Sequence, residues 1–506
     1  MAAEFKFSRS QLIYGLCLPL AVILGYVLAR PSDSLSLSLL VLIACVLGVP
    51  LYMRWYHPVT IFFWNAAFYL GFLPGQLPVW VGCAVAAFTI ILLNRCVDPV
   101  RRLMLEPGVA WSLVVLAVVI LATAYGSGGI GMRMFGSHSY GGKRYVFLIA
   151  AIMGYFILAS RRIPLHKAYW YVGLFFLPAM TEVLSFFIYL GGGPFYRLFY
   201  IIPAGSAYAL AQADTEIFEP EMLRLGTCSM AAQAFCLFML ARYGIKGILN
   251  PSRPWRAVAV IVVLAIGTLG GFRSYLIYMG LIFAVAFLLE GLHRTRFLLF
   301  VVALAVVTGV GLALFSTHLP YSVQRTLSFL PVRVAPDVRQ LADHSVAWRV
   351  NIWRHVFPEV SEHFWIGKGY VLNPDDLYIA ELNLPQGRAA GVSLAEVAGD
   401  YHSGPLSVII PFGIWGVLAL IWFLITSVRM MVRNYLHGAP ALKTVNIALL
   451  ACFIGKIIFF LAVFGALNSD LAFFTGLAGL SVSLNGETKE RFSGQPAEDE
   501  FSPVYI

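Results

Sequence analysis

Phe297 to Phe315 reads FLLFVVALAVVTGVGLALF, a run without a charge, a side-chain amide or a proline. As a helix at 1.5 Å per residue it is about 28 Å long, the thickness of a bilayer's hydrocarbon core. A helix apolar on every side belongs in a large core or in lipid. Working outward, comparable stretches lie near 11–29, 35–53, 58–74, 77–94, 109–125, 145–160, 168–190, 222–241, 255–270, 272–290, 403–427, 444–464 and 469–484. The pattern predicts an all-α, polytopic transmembrane helical bundle of about 12–14 spans. The first span follows Lys6 and Arg9 without a small-residue cleavage site and reads as an uncleaved anchor.

Composition agrees. Of 506 residues, 60% are hydrophobic and 12% charged, where a soluble domain carries roughly 25% charged residues. A soluble enzyme, a disordered scaffold and a disulfide-rich secreted protein are thereby excluded. The seven cysteines sit in or beside apolar runs without Cys-x-x-Cys spacing, and read as small core residues.

The net charge of +10 reads as topology, not as a nucleic-acid partner, because Lys and Arg gather in short cytoplasmic loops. With both termini cytoplasmic, 20 basic residues fall on the cytoplasmic side, among them Arg95, Arg101, Arg102, Arg161, Arg162, Arg429 and Arg433. The opposite side holds 13, seven of them within one long loop, 316–401. The chain therefore divides into N-terminal transmembrane helices (1–221), central helices with arginines at the membrane edge (222–315), a large extracytoplasmic helical loop (316–401), C-terminal helices (402–485) and a polar cytoplasmic tail (486–506).

Within the long loop, Ser345–Phe357 (SVAWRVNIWRHVF) spaces Trp348, Ile352, Trp353, Val356 and Phe357 as one face of a helix. Asp343 or Ser345 can cap its start, and Pro358 follows its end. Its two tryptophans suit an amphipathic helix lying on the membrane surface, with Arg349 and Trp353 four residues apart on one face. An interfacial helix with a snorkelling arginine has the same pattern.

Asp400-Tyr401-His402-Ser403-Gly404 follows, at the mouth of the run Pro405–Ile425. A histidine there can act as a general base near neutral pH, or can simply be solvated at a helix start. Arg224 lies within an apolar stretch and Arg273 at the turn Gly270–Ser274 between two spans. A charge at such depth is costly and points to a functional partner. Glu182 and Lys456 are further charges inside spans, able to pair with one another or with these arginines. The sequence holds no Asp-x-Asp, no His-Glu-x-x-His and no phosphate-binding glycine loop, so no metal ligand set and no cofactor is expected.

These residues resemble a known family. His402-Ser403, nine residues, then Gly413-Ile414-Trp415-Gly416 is similar to the His-[Asn/Ser/Gln]-x9-Gly-x-x-[Gly/Thr] signature of bacterial O-antigen ligases and O-antigen polymerases. The Arg349-x3-Trp353 helix followed by Gly367-Lys368-Gly369 resembles the family's external loop. Arg273 resembles its loop-edge arginine, and Arg224-Leu225-Gly226-Thr227 an Arg-x-Gly-Thr element of its middle spans. The likeness covers about 222–430.

The resemblance implies a GT-C-like glycosyltransferase of the bacterial cytoplasmic (inner) membrane. Its donor would be a glycan on polyprenyl (undecaprenyl) diphosphate, and its acceptor a hydroxyl of a glycan, of lipid A-core or of a protein. His402 would be the general base, and Arg349 and Arg273 would meet the departing diphosphate. Arg224, Trp353 and Tyr401 would bind substrate. The reaction would invert the anomeric centre without a metal. A flippase or exporter of lipid-linked oligosaccharide is the competing class, since it too needs many spans and arginines for diphosphate.

Overall fold

The computed structural model describes residues 19, 21–22, 25, 34–71, 76–97, 104–127, 141–205, 225–370 and 401–486. The expected first span, Arg224, the loop beyond Tyr370 and the polar tail fall wholly or largely outside them. The chain forms two units, Met1–Val59 and Thr60–Ile506; everything below concerns the second unless stated.

The described chain is helical throughout apart from one two-stranded pairing, Tyr69–Leu70 (β1) against Leu77–Pro78 (β2). Its helices are α1 (Ser34–Asn65), α2 (Val79–Val97), α3 (Pro107–Gly126), α4 (Gly142–Leu158), α5 (Leu165–Gly191, α-turns alternating with 3-10 turns) and α6 (Gly226–Ile248). Then follow α7 (Trp255–Gly267), α8 (Arg273–Leu289), α9 (Phe297–Phe315), α10 (Tyr321–Leu327), α11 (Pro336–Glu362), α12 (Leu406–His437), α13 (Lys443–Ala462) and α14 (Leu467–Leu484). Among the described residues, seven helical segments are long and apolar enough to cross a membrane: α2, α3, α5, α6, α9, α12 and α13. The shorter α7 and α8 are apolar as well. This is an all-α polytopic membrane protein.

Two boundaries differ from the sequence reading. Expected spans 35–53 and 58–74 are not separate: α1 runs unbroken from Ser34 to Asn65 with Pro50 and Pro58 inside it. A proline forfeits one backbone bond and bends a helix, but a long apolar helix tolerates it. The chain instead turns after Asn65, whose side-chain amide donates to the Phe175 carbonyl (2.7 Å). The loop helix is also longer than 345–357. α11 starts at Pro336, which suits a first helical position because its missing N–H is not needed there, and it continues through Pro358 to Glu362.

The densest packing joins α14 to α4, α6 to α5 and α7, α12 to α3, and α13 to α8. Small residues let these backbones approach: Gly154 and Gly476 both lie against the Trp64 ring, and Gly479 against Tyr155 and Leu158. Phe423, Phe453, Phe460 and Phe474 fill the space between α12, α13 and α14 with edge-to-face contacts. At the far end of the bundle Arg433 grips Glu106 through both guanidinium nitrogens (3.2 and 2.8 Å). Asn446 and Asn485 exchange amide bonds of 2.9 Å, and Asn446 also donates to the carbonyl of Asn434, the residue after Arg433 (2.9 Å).

Two helices break at a glycine. In α6, Gly244 has φ +64° and ψ 176°, and the Glu290 carboxylate accepts the freed N–H groups of Ile245 (2.6 Å) and Lys246 (3.0 Å). In α12, Gly413 has φ +64° and ψ −165°. Here the chain after α11 supplies the partners. Lys368 N–H donates to the Ile410 carbonyl (3.0 Å), Gly369 N–H to Pro411 (3.0 Å), and Ile414 N–H to Phe364 (2.7 Å).

Candidate functional site

The loop helices stand on the turns between spans. The Thr326 hydroxyl of α10 donates to the Thr268 carbonyl (2.8 Å), in the 3-10 turn just before α8. Buried Gln324 donates to the Thr317 and Leu319 carbonyls and accepts the Ala335 N–H, tying the two ends of this loop segment together. Arg273, the first residue of α8, donates from Nη2 to the Ala342 carbonyl of α11 (3.1 Å). That bond fixes the height of α11 relative to the membrane-edge arginine.

The apolar face of α11 does not lie on the membrane surface as its tryptophans suggested. Ile352 and Val356 are fully buried with Tyr401 and Ile410, and Trp348, Trp353, Leu406 and Ile409 pack around them. Burial against the start of α12 removes the same apolar area from water as a lipid surface and fixes the helix rotation as well. Tyr401 is 1% exposed, so its ring belongs to this core. The Trp353 indole N–H donates to the Tyr401 carbonyl (2.9 Å), and this bond holds the residue immediately before His402.

His402 has φ +50°, a left-handed conformation that costs a non-glycine residue free energy. Its ring sits between two aromatic edges: Trp348 of α11 (centroids 5.1 Å apart, 89°) and Phe464 of the α13–α14 turn (5.2 Å, 82°). The segment after it is fastened to that turn. Ser407 Oγ donates to the Gly404 carbonyl (2.7 Å) and accepts the Leu467 N–H (3.0 Å). A Cβ on Gly465 would lie 2.9 Å from the Gly404 Cα, so both glycines are there for close approach.

Arg349 places its guanidinium carbon 6.0 Å from the centre of the same Phe464 ring. Its Nε is buried without a hydrogen-bond partner. Burial, and secondarily the charge of nearby Arg273, pushes the Arg349 pKa down from its usual value. Among the described residues no carboxylate pairs with either arginine. Two cations sharing a half-buried space make a site whose electrostatics improve when an anion enters. Arg224 lies outside the described residues. The chain resumes at Leu225, whose N–H donates to the Leu269 carbonyl (3.4 Å), and Gly226 lies against the Phe272 ring.

The structure thus brings His402, Arg349 and Arg273 to one rim, with Trp353 and Tyr401 as supports behind His402. Sequence reasoning missed Phe464, the ring that His402 and Arg349 share. Its only sequence signal is the interruption Phe464-Gly465 between two apolar runs. It also left open the partner of Lys456, which is Asp470 (2.7 Å). The second oxygen of Asp470 accepts the Ala466 N–H (3.0 Å), bracing the turn that carries Phe464. Among the described residues no group of three or more His, Cys, Asp or Glu side chains is placed to hold a metal ion.

Residues 258–421 match a family model described as O-antigen ligase. The match spans about a third of the chain, from the start of α7 into α12, and includes Arg273, Arg349, Trp353, Tyr401, His402 and Gly413–Gly416. No curated protein matches the chain.

Proposed function

We propose, from the O-antigen ligase domain at residues 258–421, that the chain is an integral-membrane glycosyltransferase. It moves a glycan from a polyprenyl-diphosphate carrier to an acceptor hydroxyl on the extracytoplasmic face of the bacterial cytoplasmic membrane. The observation that carries this reading is a pair of arginines beside a histidine, with no carboxylate paired to either among the described residues. Arg349 is half-buried, keeps an unused Nε–H and feels the like charge of Arg273. Guanidinium is the cation best shaped to meet a diphosphate, because it offers a planar fork of donors and does not lose its charge.

The chemistry follows. The acceptor oxygen attacks the anomeric carbon as the bond from that carbon to the diphosphate oxygen breaks. The bonding pair leaves on the diphosphate, where Arg349 and Arg273 stabilise the added charge. His402 takes the acceptor hydroxyl's proton. Attack opposite the leaving group inverts the anomeric centre. Trp348 and Phe464 hold the imidazole edge-on and limit its rotation, which is positioning of the kind that shortens the search for a reactive geometry.

The test is transfer from a polyprenyl-diphosphate-linked glycan by purified, correctly inserted variants. Arg349→Ala and Arg273→Ala are each expected to lose roughly 10²–10³ in rate, and His402→Ala roughly 10²–10⁴. Near-wild-type transfer by His402→Ala and Arg273→Ala together overturns the proposal. Movement of the lipid-linked glycan across vesicles without formation of a new glycosidic bond overturns it in favour of transport. Product analysis then separates the acceptor classes: a glycan joined to lipid A-core or protein marks a ligase, and lengthened lipid-linked repeats mark a polymerase.

A further inference from the structure

The break in α12 and the turn that repairs it have a consequence for the membrane. Gly413 lies 16 residues above Arg429 on α12, about 24 Å at helical rise. Arg429 is the first charge toward the far end of this span. With a hydrocarbon core about 30 Å thick resting on it, Gly413 lies roughly 6 Å inside the opposite boundary. Phe364–Gly369 runs beside Gly413 at that depth. The Trp365 carbonyl is 2.8 Å from where a Cβ on Gly413 would stand, and Gly367 has no room for a Cβ against Pro411.

Non-helical backbone survives at such depth only when protein satisfies its polar groups. These two irregular segments satisfy one another through the Lys368–Ile410, Gly369–Pro411 and Ile414–Phe364 bonds. The side chains at the tip, in contrast, are mostly uncovered: Trp365, whose ring rests edge-on against Phe364, is 67% exposed and Ile366 78%. They continue an apolar stripe on α12 itself, formed by the exposed Trp415, Leu418, Trp422 and Ile425 at helical spacing. Above Trp415 that stripe ends on α12, where Pro411, Phe412 and Gly413 are buried. Beside the tip, Lys368 is neutralised by an ion pair with Glu359, and the carboxylate of Glu362, the last residue of α11, is exposed toward headgroup height.

We propose that Phe364–Ile366 is a membrane-inserted wedge, seated among the acyl chains of the leaflet on the loop side. Its partner is the bilayer, and it anchors the end of α11, and so Arg349 and Trp348, at headgroup height. The inference stands on the α12 break and the exposed tip, and does not depend on the reaction carried out at the rim.

The test is spin-label accessibility in full-length protein reconstituted in phosphatidylcholine–phosphatidylglycerol vesicles. Ile366→Cys is compared with Leu418→Cys on the lipid-facing stripe and Val346→Cys on the exposed side of α11. The expected result is that the label at 366 relaxes with dissolved oxygen as the one at 418 does, and is at least fivefold less accessible to a water-soluble nickel chelate than the one at 346. A label at 366 that responds to nickel as 346 does overturns the wedge. So does one screened from both reagents with label–label broadening, which assigns the tip to a second copy of the chain. A label at Trp365→Cys repeats the measurement if the one at Ile366 disturbs insertion.

Discussion

The buried pair Lys456–Asp470 gives the sharpest test of how the rim is held. Lys456 Nζ lies 2.7 Å from Asp470 Oδ1, with the side chains 14% and 10% exposed. The rings of Tyr278, Phe459 and Phe473 surround the ammonium at 5.5, 5.4 and 5.9 Å. Asp470→Ala leaves that ammonium among aromatic rings without its counter-charge, and removing one partner of a buried pair typically costs about 3–5 kcal/mol. It also removes the acceptor of the Ala466 N–H, a further loss of roughly 1–2 kcal/mol. Lys456→Met combined with Asp470→Asn behaves differently. It removes both charges and keeps an oxygen for Ala466, and paired replacements of this kind are near neutral, here within about 1–2 kcal/mol of wild type. The assay is reversible unfolding in mixed micelles for both single variants and the double variant. The cycle of Lys456→Met, Asp470→Asn and their combination is expected to return a coupling energy of at least about 4 kcal/mol, from single losses of about 3–5 kcal/mol each and a small loss for the pair. Because Asp470 braces the turn carrying Phe464, glycan transfer is expected to fall in folded Asp470→Ala and largely return in the double variant. An Asp470→Ala protein as stable as wild type, or a double variant as unstable as the singles summed, refutes the reasoning.

The remaining expectations concern backbone and surface. Gly367→Ala pushes a methyl group into the Pro411 carbonyl and is expected to cost about 1–3 kcal/mol, read as reduced folded yield. Gly413→Ala forces a side chain into φ +64°, a conformation that costs roughly 1–2 kcal/mol, and unfolding in micelles reports it. Arg433→Gln breaks a pair whose side chains are 38% and 18% exposed, so the change is at most about 1 kcal/mol and shrinks in high salt. Trp353→Phe leaves the Tyr401 carbonyl without its indole donor, at about 1–2 kcal/mol, and lowers the transfer rate through His402 more than it raises KM.

The membrane helices were legible because apolar length is a property of consecutive residues. The stretches read at 109–125, 255–270, 272–290 and 297–315 reappear within a few residues of α3, α7, α8 and α9. Errors arose where one residue was asked to decide a boundary. The gap expected between 35–53 and 58–74 is continuous helix with Pro58 inside it, and Pro358, expected after a helix end, lies inside α11; in both the packing offsets one lost backbone bond. At the rim the reading could nominate residue types but not neighbours. His402, Arg349 and Arg273 stand out because their polar groups are rare at a membrane edge. Phe464 is one of 38 phenylalanines, and nothing local marks it as the ring between two of them. The tryptophans of α11 carried the right periodicity and the wrong partner, since lipid and the core around Tyr401 reward the same apolar face.

The spacing His402-Ser403-x9-Gly413-x-x-Gly416 acquires a physical meaning from the break in α12. The histidine sits before the mouth of the helix in a left-handed conformation, and the first glycine sits 11 residues on, also at positive φ. Between them Ser407 fastens the chain to the α13–α14 turn, and the Ile410 and Pro411 carbonyls hold the Gly367-Lys368-Gly369 segment. The second glycine has a different task, with no room for a Cβ beside the Phe412 side chain one turn earlier. The motif's histidine and its glycines therefore do separate work. Gly413 lets α12 break and accept the end of α11; α11, docked there, presents Trp348 to the histidine and Arg349 to the space beside it. A mutation at Gly413 disturbs the rim only through the placement of α11, whereas a mutation at His402 leaves α11 in place. Specific activity per folded molecule distinguishes the two.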